Sequence, residues 1–139
     1  MARGPVALDA CALIAFLAGQ AGAEVVEQVL ARAAMNQGRV SIHRANLGEV
    51  YYLKLRAAGR KAADALLAEL AKLPLEVADV FDERLMREAA GFKVRFGLLY
   101  LDAIAAGWAS IAGASLMTTD HRGFAPLARA EALTILWAR

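Results

Sequence analysis

The sequence predicts a single α/β domain, spanning 1–139, with a mainly parallel sheet covered by helices on both faces. Short apolar runs of strand length alternate with longer stretches of helical periodicity, the pattern of βαβ architecture. The strand-length runs lack a polar–apolar alternation, as expected of a sheet with no wet face. A chain of 139 residues, 59% hydrophobic and 22% charged, suits one domain. At that length roughly two-thirds of the unfolded surface is buried, so the core needs no disulfide or structural metal.

Each element follows from local spacing. Pro5 to Leu8 is the first strand-like run, and it ends at Asp9. Residues 10 to 18 read as a mostly buried helix. Val25, Val26, Val29, Leu30 and Ala33 recur at helical spacing, with Glu24, Glu27, Gln28 and Arg32 on the opposite side. Asn36 to Gly38 is a stop signal. Arg39 to Ile42 reads as a second strand, and a helix from about Arg44 carries Leu47, Val50, Tyr51 and Leu55 until Gly59. Lys61 to Lys72 is a further helix that stops before Pro74, and Leu75 to Val80 is a third strand. Asp82 or a residue nearby caps a helix holding Leu85, Met86, Ala89, Phe92 and Phe96 in register. Leu101, Ile104, Ala105, Trp108 and Ile111 form the stripe of the next helix. Ser115 to Thr118 is a strand, Asp120 to Pro126 a turn-rich segment, and Leu133 to Trp137 the last strand.

Composition removes several function classes. The mean hydropathy of +0.42 excludes a disordered chain. A net charge of +2 does not by itself announce a nucleic-acid binder. The single Cys leaves no intramolecular disulfide or zinc-finger spacing, so a reducing cytosolic setting is expected. Arg3, the apolar run Ala10 to Ala18, and small residues near Ala21 and Ala23 imitate a signal peptide. Asp9 directly precedes that run and amphipathic helix follows at once, so it reads as core instead. The uncharged stretch Ala103 to Thr119 reads as a helix plus a strand, not a membrane span.

Familiar nucleotide-binding and nucleophile signatures are missing: there is no Walker-type glycine loop, no G-x-G-x-x-G and no G-x-S-x-G. His43 and His121 are the only histidines, which leaves no histidine-rich zinc site, so catalysis must lean on carboxylates. Most of the 14 acidic residues lie on polar helix faces, but Asp9, Glu49, Asp102 and Asp120 sit among apolar neighbours. Asp9 and Asp120 each follow an apolar strand. Asp102 interrupts an apolar run, where a helix cap is the alternative reading, and Glu49 lies on an otherwise apolar helix segment. A carboxylate among hydrophobes is costly without compensation. Strand C-termini of a parallel sheet share one edge, so Asp9 and Asp120 are expected in one crevice. A divalent cation is the simplest compensation there, and oxygen-only ligands suit Mg²⁺ or Mn²⁺.

The residues that carry a family resemblance are now in view. They are V-A-L-D-A-C-A-L-I-A-F-L at the start, N-L-G-E-V-Y-Y-L-K-L-R-A-A-G, D-A-I-A-A-G-W-A, and L-M-T-T-D-H-R-G-F. In order and spacing the chain resembles PIN domains, and among them the VapC-type toxin ribonucleases of toxin–antitoxin pairs. The family's four acidic positions fall on Asp9, Glu49, Asp102 and Asp120, and its hydroxyl residue before the last acid falls on Thr118. Cys11 departs from the pattern, because Ser, Thr or Asn is common there; it reads as a small buried hydrophobe filling the same space.

The resemblance implies a three-layer α/β/α sandwich with strand order 3-2-1-4-5. It also implies metal-dependent hydrolysis of RNA phosphodiester bonds, with one or two Mg²⁺ (or Mn²⁺) ions held by Asp9, Asp120, Asp102 and Glu49. Asp102 or Glu49 would orient or deprotonate the attacking water, leaving a 5′-phosphate and a 3′-hydroxyl. Thr118 and Cys11 would stand behind the ligands. Implied partners are an RNA substrate, a cognate antitoxin whose tail enters the acidic crevice, and a second copy in a homodimer, with no membrane role and a cytoplasmic location. His43, Arg44, Lys93, Arg95, His121 and Arg122 are candidates for RNA contact by proximity to the acids in the chain, and a solvated surface charge is the plainer reading of each. Tyr51, Tyr52, Trp108 and Trp137 are expected to pack in the core or at a subunit contact rather than to stack on bases. A catalytically inactive PIN-like module for RNA binding or assembly is the alternative function. A phospho-acceptor receiver domain, which pairs adjacent acids after its first strand and uses a late lysine, does not match.

Overall fold

The computed structural model describes residues 4–139, so Arg3 lies outside the described residues. The elements run β1 (Val6–Leu8), α1 (Ala10–Leu17), α2 (Ala23–Ala34), β2 (Val40–His43), α3 (Arg44–Ala58) and α4 (Arg60–Leu70). They continue as β3 (Leu75–Ala78), α5 (Glu83–Phe96), α6 (Tyr100–Ala112), β4 (Ser115–Thr118), α7 (His121–Arg129) and β5 (Ile135–Trp137). The five strands form one parallel sheet in the order β3-β2-β1-β4-β5. The α/β/α expectation and its strand order are both met.

Side-chain alternation along the central strands builds the two cores. Val6 and Leu8 of β1 face a cluster with Leu13, Val26, Leu30, Leu47 and Val50. Ala7, between them, faces the other cluster with Ala103, Ile104, Ala106, Phe124 and Leu127. Each fully buried Leu or Phe contributes about 1.5–3 kcal/mol, so neither layer is dispensable. The alanine excess has a local purpose on α6, where Ala103, Ala105, Ala106 and Ala109 are buried and let that helix lie close to the sheet. Gly107 extends this closeness to α5: a methyl group there would stand 3.0 Å from the Ala89 nitrogen.

Caps fix the helices that enter the site. Asp82 caps α5 as expected, its carboxylate accepting from the Leu85 N–H at 3.0 Å. Asp102 is not a cap: the N-cap of α6 is Leu99, and Asp102 lies in the first turn of the helix. The segment from Asp120 to Pro126 is not an open turn but the body of α7. Asp120 caps it through the Gly123 N–H, and the fully buried Phe124 and Leu127 dock it on the sheet. Burial of that face outweighs the missing Pro126 donor, which is why turn-forming residues misdirect the reading of this stretch. Ala103 to Thr119 does divide into α6 and β4, and no helix among the described residues is long and apolar enough to cross a membrane.

Candidate functional site

The site is assembled at the C-terminal edge of the sheet, where β1 and β4 lie side by side. Leu8 is in register with Met117, so the next residues, Asp9 and Thr118, meet across the strand ends. The Asp9 N–H donates to the Met117 carbonyl at 3.2 Å. The Asp9 carboxylate is 2% exposed and has a donor on each oxygen. Oδ1 accepts from the Ala12 N–H at 2.8 Å, which caps α1, and Oδ2 accepts from the Thr118 hydroxyl at 2.5 Å. The same Thr118 oxygen accepts from the Asp120 N–H at 3.0 Å. One fully buried threonine therefore ties the two strand-end aspartates together.

Asp120 is shaped from behind. Its Oδ1 accepts from the Gly123 N–H at 3.0 Å, and a methyl group on Gly123 would stand 2.5 Å from its Oδ2. Only glycine leaves room there for the carboxylate as placed. Glu49 and Asp102 approach from α3 and α6, each partly buried. Those helices are joined by Asn46, whose Nδ2 donates to the Leu101 carbonyl at 2.9 Å. Trp108 of α6 is anchored in turn, its Nε1 donating to the Ser41 hydroxyl at 3.0 Å.

The electrostatics show that the acids are neighbours. Burial pushes the Asp9 carboxyl up to about 7, against the pull of Thr118 and Ala12, with Asp102 and Asp120 adding to the rise. Asp102 is pushed up to about 6, by burial first and then by the charges of Asp120 and Glu49. Burial raises Glu49 as well. No Lys or Arg pairs with any of these carboxylates among the described residues; the surface pairs Arg39–Glu76, Arg44–Asp79, Lys72–Glu69 and Arg87–Glu83 use other acids.

The donor set these four side chains offer is all oxygen, the chemistry that Mg²⁺ or Mn²⁺ takes. As placed, no three His, Cys, Asp or Glu side chains among the described residues already form a group that could hold an ion. The carboxylates are near enough to raise one another's proton affinity without converging on one point.

Two sequence expectations change, at Cys11 and His43. Cys11 is exposed, not a buried hydrophobe, because it lies on the face of α1 turned away from the core residues Ala10, Ala12 and Leu13. Although the residue is exposed, partial burial of its thiol and then the charges of Asp9, Asp120, Glu49 and Asp102 push it up to about 12. His43 is no candidate for RNA contact. It is 3% exposed, its Nδ1 accepts from the Ala45 N–H at 3.0 Å, and its Nε2 donates to the Val80 carbonyl at 2.6 Å. Arg44 is held by Asp79, and Lys93 donates to the Leu98 carbonyl. His121 stacks on Trp137 with ring centroids 4.0 Å apart, and Arg122 is exposed. Tyr52 is also on the surface, 47% exposed, with Arg56 over its ring. Asn46 and Gly123 fall within the motifs of the sequence, which by itself gives neither a role. Their positions, three before Glu49 and three after Asp120, were the available signals.

Comparison with known proteins agrees with this geometry. Among curated proteins there is no match. Among solved structures, a chain of the VapBC2 complex from Rickettsia felis bound to a DNA fragment from its promoter is similar, with a TM-score of 0.74 at 16% identity. The match covers 96% of this chain and 98% of that one. DNA-bound VapBC from Salmonella typhimurium gives a TM-score of 0.74 at 17% identity, covering 97% and 98%. VapC20 from Mycobacterium tuberculosis, described as a sarcin–ricin loop cleaving toxin, gives 0.66 at 21% identity, covering 87% and 94%. At these identities the likeness is one of fold. The PIN domain family model matches residues 6–130, nearly the whole chain and every residue of the crevice, and this protein therefore belongs to the PIN-domain family.

Proposed function

We propose that this chain is a Mg²⁺- or Mn²⁺-dependent endoribonuclease and the toxin of a toxin–antitoxin pair, working in the cytoplasm as one domain over residues 1–139. The observation that carries the reading is the gathering of Asp9, Glu49, Asp102 and Asp120 with no Lys or Arg among the described residues paired to them. The PIN family match and the likeness to VapC folds support the same activity.

In this mechanism Asp9 and Asp120 are the principal ligands, with Asp102 and Glu49 acting directly or through water. The bound ion supplies Lewis acidity towards a phosphoryl oxygen and makes a nearby water more acidic. The protein's share is orientation. The Ala12 N–H and Thr118 hydroxyl fix both Asp9 oxygens, and Gly123 fixes one oxygen of Asp120. Asp102, whose proton affinity is already raised, or Glu49 takes the proton of the attacking water. In-line attack on phosphorus then breaks the bond to the 3′-oxygen, which takes a proton from solvent water, leaving a 5′-phosphate and a 3′-hydroxyl.

The partners in this reading are a structured RNA, a co-encoded antitoxin and a second copy of the chain. An antitoxin arginine entering the crevice would neutralise the acids in place of the ion. The test is cleavage of structured RNA with Mn²⁺, with Asp9→Asn and an EDTA control alongside. Cleavage that needs both the ion and Asp9 is expected. Intact RNA with the native chain would point instead to an inactive RNA-binding or assembly module.

A further inference from the structure

Asn46 is the buried polar side chain that the mechanism leaves unexplained. It is 1% exposed, and its Oδ1 has no hydrogen-bond partner. Its one side-chain bond goes from Nδ2 to the Leu101 carbonyl at 2.9 Å. Leu101 lies inside α6, so that carbonyl already accepts from the Ala105 N–H in the ordinary helical pattern. The amide is therefore not needed to satisfy α6, and its own acceptor is buried unpaired, which is unfavourable. An apolar side chain of similar volume would serve the packing between these helices at least as well.

What the bond does achieve is a fixed distance between two helices that each carry an acid. Glu49 lies three residues after Asn46 on α3, on the same face of the helix, and Asp102 directly follows Leu101 on α6. We infer that Asn46 is a positioning residue, which sets the separation of Glu49 and Asp102 through the Leu101 carbonyl and keeps both within reach of one hydrated divalent ion. This rests on the divalent-ion site proposed above. Residues that act behind a metal's ligands typically cost 10- to 100-fold in affinity when replaced.

The test measures Mn²⁺ binding by calorimetry, together with thermal melting in EDTA, for the native chain, Asn46→Leu, Asn46→Ala, Glu49→Gln and the double variant Asn46→Leu/Glu49→Gln. Asn46→Leu is expected to melt no lower than the native chain while binding Mn²⁺ about tenfold more weakly. Asn46→Ala, should Leu fail to pack, is expected to show the same loss of affinity. In the Glu49→Gln background the Asn46→Leu change is expected to have much less effect, because one of the two groups it positions is gone. A merely structural role would lower the melting temperature and leave affinity unchanged, or act equally in both backgrounds; either result overturns the inference while the nuclease reading stands. Absence of Mn²⁺ binding by the native chain would bring down the ion site itself, and the inference with it.

Discussion

The substitution Asp9→Asn separates the cost of the acidic crevice from its use. In the ion-free protein the Asp9 carboxyl is raised from 3.8 to about 7, by burial first and by Asp102 and Asp120 last. At about 1.4 kcal/mol per pH unit, holding it ionised in the fold costs about 4 kcal/mol. Its folded value lies above the ordinary one, so the stability that goes with the protonated form is complete below about pH 4. That stability is lost as the pH rises through about 7. Asp9→Asn keeps the shape and removes the charge, but it disturbs the bond from Thr118, worth about 1–3 kcal/mol. The net expectation at pH 8 in EDTA is stabilisation by about 1–3 kcal/mol, which is about 3–12 °C for a domain of this size. At pH 5 the folded carboxyl is protonated while the unfolded one is ionised, so only about 1.6 kcal/mol of that cost is present, and with the disturbed bond counted the variant should gain little or nothing. Saturating Mg²⁺ at pH 8 should raise the melting temperature of the native chain and leave that of the variant nearly unmoved. Differential scanning fluorimetry at the two pH values, with and without ion, makes the comparison. A melting difference between native and variant that is the same at pH 5 and pH 8 would refute the electrostatic reasoning.

Two other expectations test the surroundings of the cluster. Gly123→Ala should fold, because α7 accepts alanine readily, yet its methyl would displace the Asp120 carboxylate it meets at 2.5 Å. Mn²⁺ affinity measured by calorimetry should fall about tenfold, and unchanged affinity would mean that Asp120 need not stand where it does. Cys11, exposed but pushed up to about 12, should react with a thiol-specific disulfide reagent at pH 8 at least about a hundredfold more slowly than in denaturant. Equal rates in both conditions would show that neither burial nor the neighbouring acids hold the thiol back.

How much of this was legible in the sequence depends on the range of the interaction. Strands β1 and β4 and the cap at Asp82 were readable because apolar runs and capping residues act over a few positions. α7 was misread for a related reason: Gly123 and Pro126 are turn residues locally, and only docking of Phe124 and Leu127 on the sheet makes that stretch helical. Cys11 was misread because its neighbours in sequence are apolar, whereas the helix turns its own side outwards.

By itself the sequence determined the alternation of strands and helices and marked Asp9, Glu49, Asp102 and Asp120 as acids in apolar surroundings, since both properties are local. Tertiary structure decided what those acids are to one another. Parallel pairing of β1 with β4 brings Asp9 beside Thr118. The bond from Asn46 to Leu101 links the helices of Glu49 and Asp102, and the close space at Gly123 sets Asp120. Each of the first two contacts joins residues at least 55 positions apart, and no periodicity in a single chain encodes a hydrogen bond at that separation. The charge interaction that defines the crevice therefore exists only once the sheet has closed and the helices have packed against it.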